Sequence, residues 1–197
     1  MIGIVNYGAG NLFSVKKALD HLGAKSVIID SDRDIADVDK IILPGVGAFQ
    51  PAVDKLRSTG LYDQVNDWLL ADRPFLGICL GMQLLFAGSE EAETKGFGLF
   101  KGSGIRFKKG KVPQIGWNQV LYSKESCLMD EIENGSYFYF LHGYYVKTQD
   151  EIIAATTDYG VKYPSIIEKG NVRGVQFHPE KSGETGLKLL ENWVRIC

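Results

Sequence analysis

The sequence has little cysteine, little net charge and no long apolar run. Its three cysteines, Cys79, Cys127 and Cys197, are too few and too scattered to predict a disulfide framework, and no Cys-x-x-Cys pair indicates a structural zinc site. With 22 Lys and Arg against 24 Asp and Glu, the formal charge of -2 is untypical of a dedicated nucleic-acid-binding protein. No apolar run approaches the roughly 20 residues that span a bilayer. We therefore expect no nucleic-acid partner, no membrane partner and no metal.

The start of the sequence lacks the pattern of a secretory signal. Met1 to Val5 run directly into a strand-like segment, without a basic region or a cleavage site. A cytoplasmic, reducing setting is therefore predicted, in which isolated cysteines stay thiols. With 197 residues, 45% of them hydrophobic and 23% charged, the composition is that of an ordinary globular protein. We expect one domain that covers residues 1–197.

Strand and helix patterns alternate in the first half. Apolar runs at Ile2–Val5, Ser26–Ile29, Lys40–Leu43 and Phe75–Ile78 are separated by segments with apolar residues at helical spacing. Continuous apolar strands between amphipathic helices are typical of a parallel sheet covered on both faces. Another helix is predicted to open at residues 82–86.

The second half changes to a series of strand-like segments with turn residues between them. These segments are residues 105–108, 119–122, 137–145, 152–156, 165–168 and 172–177. They predict a meander or a mixed-sheet extension of the parallel sheet, and a helix from about Thr185 closes the chain.

The most informative motif is Gly-Ile-Cys-Leu-Gly at residues 77–81, between a predicted strand and a predicted helix. It is the nucleophile elbow G-x-S-x-G with cysteine in place of serine. The glycines permit a sharp turn, and the helix N-terminus favours the thiolate, which is the reactive form of cysteine. A lone cysteine beside an apolar strand is ordinarily a buried structural residue. The elbow on both sides of Cys79 favours a nucleophile instead.

A cysteine nucleophile needs a base, and the base needs an orienting group. His178 ends a predicted strand and is followed by Pro179 and Glu180, which places an imidazole and a carboxylate at the sheet edge where the elbow presents its cysteine. The other histidines fit this role less well, since His21 lies on the first predicted helix and His142 lies inside an aromatic strand. We predict His178 as the base and Glu180 as its orienting carboxylate.

An oxyanion hole needs two hydrogen-bond donors. The backbone N–H of Leu80, directly after the cysteine, is one candidate. The segment Pro-Gly-Val-Gly at residues 44–47 is a candidate for the other, because its glycines allow an N–H to point inward. A plain turn explains this segment equally well.

Together these motifs resemble the class I, or triad, glutamine amidotransferases. The resemblance rests on residues 44–47, 77–83 and 176–182. Residues 6–12, residues 116–118 and the aromatic strand around His142 are similar to those of the glutaminase subunits of imidazole glycerol phosphate synthase. The resemblance implies a three-layer α/β fold, with a mostly parallel central sheet, helices on both faces and an additional antiparallel or mixed sheet region.

The same resemblance implies a chemistry. Cys79 would attack the side-chain amide of L-glutamine, His178 would carry protons, and Glu180 would orient the imidazole. Leu80 and Val46 would supply the oxyanion N–H groups. Glutamate and ammonia would be released, without a metal or an organic cofactor.

The resemblance also implies a substrate pocket and a partner. Gln83 and Gly47 would help to hold the amino-acid end of the glutamine. Ammonia would pass through a tunnel into a (β/α)8-barrel synthase subunit, forming a heterodimer that makes imidazole glycerol phosphate and AICAR in histidine biosynthesis.

Several positions bear on the partner. The partner-facing candidates are Asn6, Gly8, Asn11, Gln114 and Trp117. Asn6, Gln114, Ile115 and Gly143 depart from residues usual in these glutaminase subunits. These departures leave open which synthase is served, for example one that aminates a sugar for surface polysaccharide. A free-standing γ-glutamyl hydrolase or peptidase and a non-catalytic scaffold are further alternatives, although an intact set of nucleophile, base and carboxylate disfavours the scaffold.

The segment Gly-Ala-Gly at residues 8–10 partly matches a dinucleotide-binding fingerprint. The third glycine position is occupied by Phe13, so the fingerprint is incomplete. A loop at the partner-facing edge is the preferred interpretation.

Overall fold

A computed structural model of the chain describes residues 1–8, 10–148 and 150–197, without the side chains of residues 32–34 and 150. Ala9, the middle residue of the Gly-Ala-Gly segment, therefore lies outside the described residues. The helices are α1 (Leu12–His21), α2 (Phe49–Ser58), α3 (Leu61–Leu70), α4 (Leu80–Gln83) and α5 (Gly183–Arg195). Short 3-10 helices occupy Asp32–Asp37, Cys127–Met129, Asp150–Ile152 and Pro179–Lys181.

The strands of the first half alternate with these helices, as predicted. The strands in chain order are β1 (Ile2–Val5), β2 (Ser26–Ile29), β3 (Lys40–Leu43), β4 (Phe75–Ile78), β5 (Phe86–Ser89), β6 (Phe100–Arg106), β7 (Gln114–Gln119), β8 (Leu121–Tyr122), β9 (Tyr137–His142), β10 (Tyr144–Thr148), β11 (Ile153–Asp158), β12 (Lys162–Lys169) and β13 (Val172–Val175).

The central sheet has the strand order β2-β1-β3-β4-β13-β12-β11-β8. The first five strands in this order are parallel, and the remaining three continue the sheet antiparallel. Smaller sheets are formed by β10-β6-β5 and by β7-β9. The fold is thus the mixed α/β architecture that the sequence predicts, with a mostly parallel sheet and an additional sheet region.

Alternating strand residues build a separate core on each face of the sheet. Ile4, Ile42 and Leu76 belong to one buried cluster with residues of α1 and α5. Leu43 and Phe75 belong to the other, with residues of α2 and α3. Because neighbouring residues of a strand point to opposite faces, fully apolar strands are needed to fill both layers.

Two sequence predictions about the elements are wrong in detail. The helix predicted to open at residues 82–86 ends at Gln83, because the carbonyls of Leu84 and Leu85 accept hydrogen bonds from the N–H groups of Phe97 and Phe100. The aromatic stretch at residues 137–145 is two strands, not one. It divides at Gly143, and β9 pairs with β7 while β10 pairs with β6.

The prediction that the cysteines stay unpaired is also wrong. Cys127 and Cys197 form a disulfide, with 5.8 Å between their Cα atoms. The side chain of Asn192 in α5 donates hydrogen bonds to the carbonyls of Leu128 and Asp130, so the segment after Cys127 packs against α5. This contact between distant parts of the chain brings the two sulfurs together. Cys79 remains a free, buried thiol.

Within the described parts of the chain, no helix combines the length and the apolar character needed to cross a membrane.

Candidate active site

Cys79 lies in a tight turn between β4 and α4. Its backbone has φ 53° and ψ -106°, in a region that residues with a side chain seldom occupy, and its N–H donates to the carbonyl of Val175 at 2.7 Å. The turn requires glycine on both sides. A Cβ on Gly77 would lie 2.6 Å from the Gly81 carbonyl oxygen, and one on Gly81 would lie 1.9 Å from the Leu43 carbonyl oxygen. Glycine is therefore required at both positions, because the backbone packs closely beneath the cysteine.

The pairing of β13 with β4 brings His178 to the same edge of the sheet as the cysteine. Val175 pairs with Ile78, so the chain that continues to His178 leaves the sheet beside the elbow. His178 Nδ1 lies 2.9 Å from Glu180 Oε1, and both side chains are only 1% exposed. The backbone N–H of His178 also donates to the carbonyl of Tyr139 in β9 at 2.8 Å. The backbone of His178 is thus fixed against β9, and its imidazole is oriented by a buried carboxylate.

The charge state of His178 is set by competing effects. Burial favours the neutral imidazole, but the negative charge of Cys79 and the hydrogen bond and charge of Glu180 outweigh it and raise the pKa of His178 to about 10. His178 interacts with the Cys79 side chain first through charge and second through a hydrogen bond. The arrangement favours a protonated imidazole beside the Cys79 sulfur, with a proton ready for transfer.

His142 has the opposite character. It is buried, its Nδ1 lies 2.8 Å from the Tyr144 carbonyl, and its Nε2 lies 3.3 Å from the Tyr163 hydroxyl. Burial lowers the pKa of His142 to about 4, against the opposing effect of the Tyr144 carbonyl, and the nearby charge of His178 lowers it further. His21 is exposed at the end of α1, the helix on which it was predicted to lie.

The oxyanion donors predicted from the sequence are not both available in this structure. The N–H of Leu80 donates to the carbonyl oxygen of Gly45 at 3.4 Å. In a trans peptide the carbonyl and the next N–H point in opposite directions, so the N–H of Val46 is turned away from Leu80. A rotation of the Gly45–Val46 peptide replaces that carbonyl with an N–H beside Leu80.

The segment that carries this peptide is anchored at both ends. The hydroxyl of Tyr7 donates to the carbonyl of Pro44 at 2.9 Å, and the N–H of Phe49 donates to the carboxylate of Glu91 at 2.9 Å. Between these anchors Gly47 is exposed and has φ +104°, a conformation that favours glycine. Neither Tyr7 nor Glu91 stands at a spacing in the sequence that marks it for this role.

Gln83 lies inside the site. It is buried, and its side-chain amide donates to the Tyr144 carbonyl at 2.9 Å and to Gln176 Oε1 at 3.1 Å. Gln176 in turn contacts the Cys79 sulfur. In the sequence Gln176 is marked only as the first residue of the motif at residues 176–182, which indicates no role for it.

The predicted partner-facing residues separate into two groups. Trp117 of β7 is 55% exposed, Asn6 and Gly8 lie at the end of β1 and in the loop that follows it, and the half-buried Asn11 directly precedes α1. Ile115 of β7 is not among these candidates, and it is 59% exposed. Gln114 is buried instead and accepts a hydrogen bond from the Tyr163 hydroxyl at 2.9 Å. The prediction for Gln114 is therefore wrong, because the first residue of β7 points its side chain into the protein.

Acidic, histidine and cysteine side chains in the described ranges form no group of three or more that could hold a metal ion.

A free cysteine in a strand–helix elbow, beside a buried histidine–carboxylate pair, is the arrangement that enzymes with a cysteine nucleophile use. Residues 3–197 match the family model of the class-I glutamine amidotransferases. The chain belongs to this family and is a glutamine amidotransferase.

Relatives and solved structures agree with this assignment. The protein named imidazole glycerol phosphate synthase subunit HisH of Methanocaldococcus jannaschii is 48% identical over 200 residues, covering 100% of both chains. The protein of the same name from Caldanaerobacter subterraneus subsp. tengcongensis is 46% identical over 196 residues, covering 98% of this chain and 97% of the relative. The structure of PurLQS from Thermotoga maritima superposes with a TM-score of 0.76 at 21% identity, over 98% of this chain and 96% of the other, and shows the shared fold.

Proposed function

We propose that this chain is the glutaminase subunit of an imidazole glycerol phosphate synthase. It hydrolyses L-glutamine to glutamate and ammonia through a thioester on Cys79, and the ammonia is used by a (β/α)8-barrel synthase that makes imidazole glycerol phosphate and AICAR in histidine biosynthesis. The observation that carries the chemistry is the free Cys79 beside the buried pair of His178 and Glu180. The relatives named as HisH, similar over nearly the full length, support the pathway.

In the first half of the reaction, the Cys79 thiolate attacks the amide carbon of the glutamine side chain. The carbon–nitrogen bond breaks as His178 gives its proton to the leaving nitrogen, so that ammonia departs and a thioester remains. In the second half, His178 takes a proton from water, the hydroxide adds to the thioester carbon, and the carbon–sulfur bond breaks to release glutamate. Glu180 holds the imidazole orientation and stabilises its charged form.

Binding and transition-state stabilisation are proposed for the surrounding backbone and for two further residues. The N–H groups of Leu80 and Val46 stabilise the oxyanion once the Gly45–Val46 peptide has rotated. Gln83 and Gly47 help to hold the amino-acid end of the substrate.

The subunit model explains why the oxyanion hole is closed in the chain alone. A free-standing hydrolase needs a complete hole at all times, whereas a subunit benefits from completing it only when an acceptor is present. We propose that the barrel synthase forms a heterodimer with this chain through the face that exposes Ile115 and Trp117, and that docking favours the rotated peptide.

We further propose that residues 1–197 act as one domain and that the chain works in the cytoplasm. The proposed reaction needs no metal and no organic cofactor.

The test is nitrogen transfer in the reconstituted complex. With the cognate barrel synthase and its substrate, wild-type chain is expected to support imidazole glycerol phosphate formation from glutamine. Cys79→Ala is expected to abolish this glutamine-dependent synthesis while synthesis from added ammonium salt continues. If Cys79→Ala retains glutamine-dependent synthesis, the nucleophile assignment is wrong. If wild-type chain hydrolyses glutamine but never supplies this synthase, the pathway assignment is wrong.

A further inference from the structure

A second buried glutamine contacts the sulfur of Cys79. Gln176 lies between β13 and His178, and its side chain is fully buried. Its Nε2 lies 3.6 Å from Cys79 Sγ, within reach of a hydrogen bond to sulfur. The same sulfur lies 3.7 Å from the carbonyl oxygen of Leu141 in β9. Besides His178, the nucleophile therefore has an amide group and a carbonyl oxygen as polar neighbours.

The orientation of the Gln176 amide follows from its neighbours. The carbonyl of Tyr144 only accepts hydrogen bonds, so the Gln83 atom facing it at 2.9 Å must be the donor Nε2. That same Nε2 lies 3.1 Å from Gln176, so the Gln176 atom facing it must be the acceptor Oε1. The remaining end of the Gln176 amide, which faces the sulfur, is then the N–H donor.

The two polar neighbours of the sulfur favour different charge states. A neutral thiol donates its proton to the Leu141 carbonyl, whereas a thiolate gains nothing from a carbonyl oxygen. A thiolate accepts the N–H of Gln176, and a hydrogen bond to a charged group is stronger than one between neutral groups, especially away from water.

We propose that Gln176 is a further catalytic residue, which donates an N–H to the Cys79 thiolate and is held in that orientation by Gln83. The inference rests on the proposed role of Cys79 as the nucleophile. It assigns to Gln83 a structural role in addition to its proposed contact with the substrate.

The test is alkylation of Cys79 by iodoacetamide in the isolated chain, in which the thiolate attacks the methylene carbon and iodide leaves. The rate is followed by mass spectrometry of the Cys79 peptide across a pH series, and it requires neither glutamine nor a partner. Gln176→Met keeps the side-chain volume and removes the donor. Because a hydrogen bond to a charged group contributes about tenfold in an equilibrium constant, we expect the alkylation rate on the acid side of the pH profile, where the thiol is mostly protonated, to fall several-fold. We also expect the pH of half-maximal alkylation to rise by about one unit.

Gln176→Glu is the second variant, since its carboxylate still accepts from Gln83 but places an acceptor beside the sulfur. We expect it to slow alkylation on the acid side of the pH profile at least as much as Gln176→Met. Gln114→Met is the matched control, because Gln114 is similarly buried but bonds to Tyr163. It is expected to alkylate at the wild-type rate.

The inference is overturned if folded Gln176→Met or Gln176→Glu alkylates like wild type with an unchanged pH profile, or if Gln114→Met slows alkylation equally. Slower alkylation of the Gln176 variants, with the pH of half-maximal alkylation shifted upward, supports the inference even if the wild-type complex fails to transfer nitrogen. The alkylation result therefore fails or succeeds separately from the proposed pathway.

Discussion

The carbonyl oxygen of Gly45 accepts a hydrogen bond from the N–H of Leu80, directly after the candidate nucleophile, at 3.4 Å. The group that ought to stabilise a developing oxyanion is thus occupied by another oxygen. A substrate that binds in this state has the Gly45 carbonyl oxygen, instead of a hydrogen-bond donor, beside its developing oxyanion.

We therefore predict that the isolated chain is a poor glutaminase and that its cognate synthase activates it. Losing one oxyanion donor typically costs about 100- to 1,000-fold in rate, so activation of that order is expected. The measurement is steady-state glutamate release by the chain alone, with its cognate synthase and that synthase's substrate, and with a foreign synthase. Because Asn6 departs from the usual residue, we expect the cognate partner to activate more strongly than the foreign one. Full activity of the chain alone would remove the subunit model and favour a free-standing hydrolase.

The second prediction ranks the candidate catalytic side chains by how much glutaminase activity is lost when each is substituted. Cys79→Ala is expected to abolish glutamine hydrolysis in the complex, and His178→Ala to be nearly as damaging, because each removes a group that makes or breaks a bond. Glu180→Gln is expected to cost less, since the carboxylate only orients the imidazole and stabilises its charge. The measurement is kcat for glutamate release by folded variants in the activated complex.

His142→Ala is the comparison for this series, because His142 is buried in the same region without facing Glu180. It is expected to retain far more activity than His178→Ala. The assignment of the base fails if His142→Ala is the worse of the two, and the proposed orienting role fails if Glu180→Gln is far worse than His178→Ala.

The elbow was predictable because its signal is local. A strand, a Gly-x-Cys-x-Gly turn and a helix are contiguous, and the glycines at residues 77 and 81 are required by backbone contacts within a few residues and with the neighbouring strand. His178 and Glu180 were predictable for a related reason, since parallel strands end at the same edge of a sheet.

The contacts that the sequence did not reveal depend on which distant segments meet. Gln176 contacts the sulfur only because β13 lies beside β4, and Gln114 is buried only because β7 pairs with β9. A period-2 pattern indicates that a strand has two faces, but it does not say which face meets the core when polar residues occupy both. The Cys127–Cys197 bond spans 70 residues, and two isolated cysteines carry no local sign of such a pairing.

The third prediction is a pH dependence of stability that arises from His142. Burial lowers the pKa of this imidazole to about 4 in the folded chain, while the unfolded chain keeps an ordinary value near 6.5. Between these values the unfolded chain binds a proton that the folded chain does not, so the free energy of unfolding falls as the pH drops from about 6.5 to 4. By pH 4.5 the loss attributable to His142 is about 2 kcal/mol.

This contribution is measured by urea unfolding of wild type and His142→Gln at pH 7 and pH 4.5. The variant cannot titrate, so the loss of stability between these pH values is expected to be smaller in the variant by that amount. His21→Gln, which alters an exposed histidine at the end of α1, is the control and is expected to follow wild type. Equal pH dependence in wild type and His142→Gln would show that His142 titrates normally in the folded chain.

The last prediction concerns the disulfide between Cys127 and Cys197, which ties the end of the chain to the segment beneath α5. Closing a loop of 70 residues restricts the unfolded chain, and the chain-entropy model gives a stabilisation of about 4 kcal/mol for a loop of this size. We expect dithiothreitol to lower the urea midpoint of the oxidised chain. The double variant Cys127→Ser, Cys197→Ser is expected to have the same urea midpoint as the reduced wild type, with and without dithiothreitol. Glutamine hydrolysis in the activated complex is expected to persist in the double variant, because Cys79 is unchanged.

Thiol titration of non-reduced protein in denaturant is expected to find one free thiol per chain. Three free thiols, together with a urea midpoint that the reductant leaves unchanged, would show that the bond does not form.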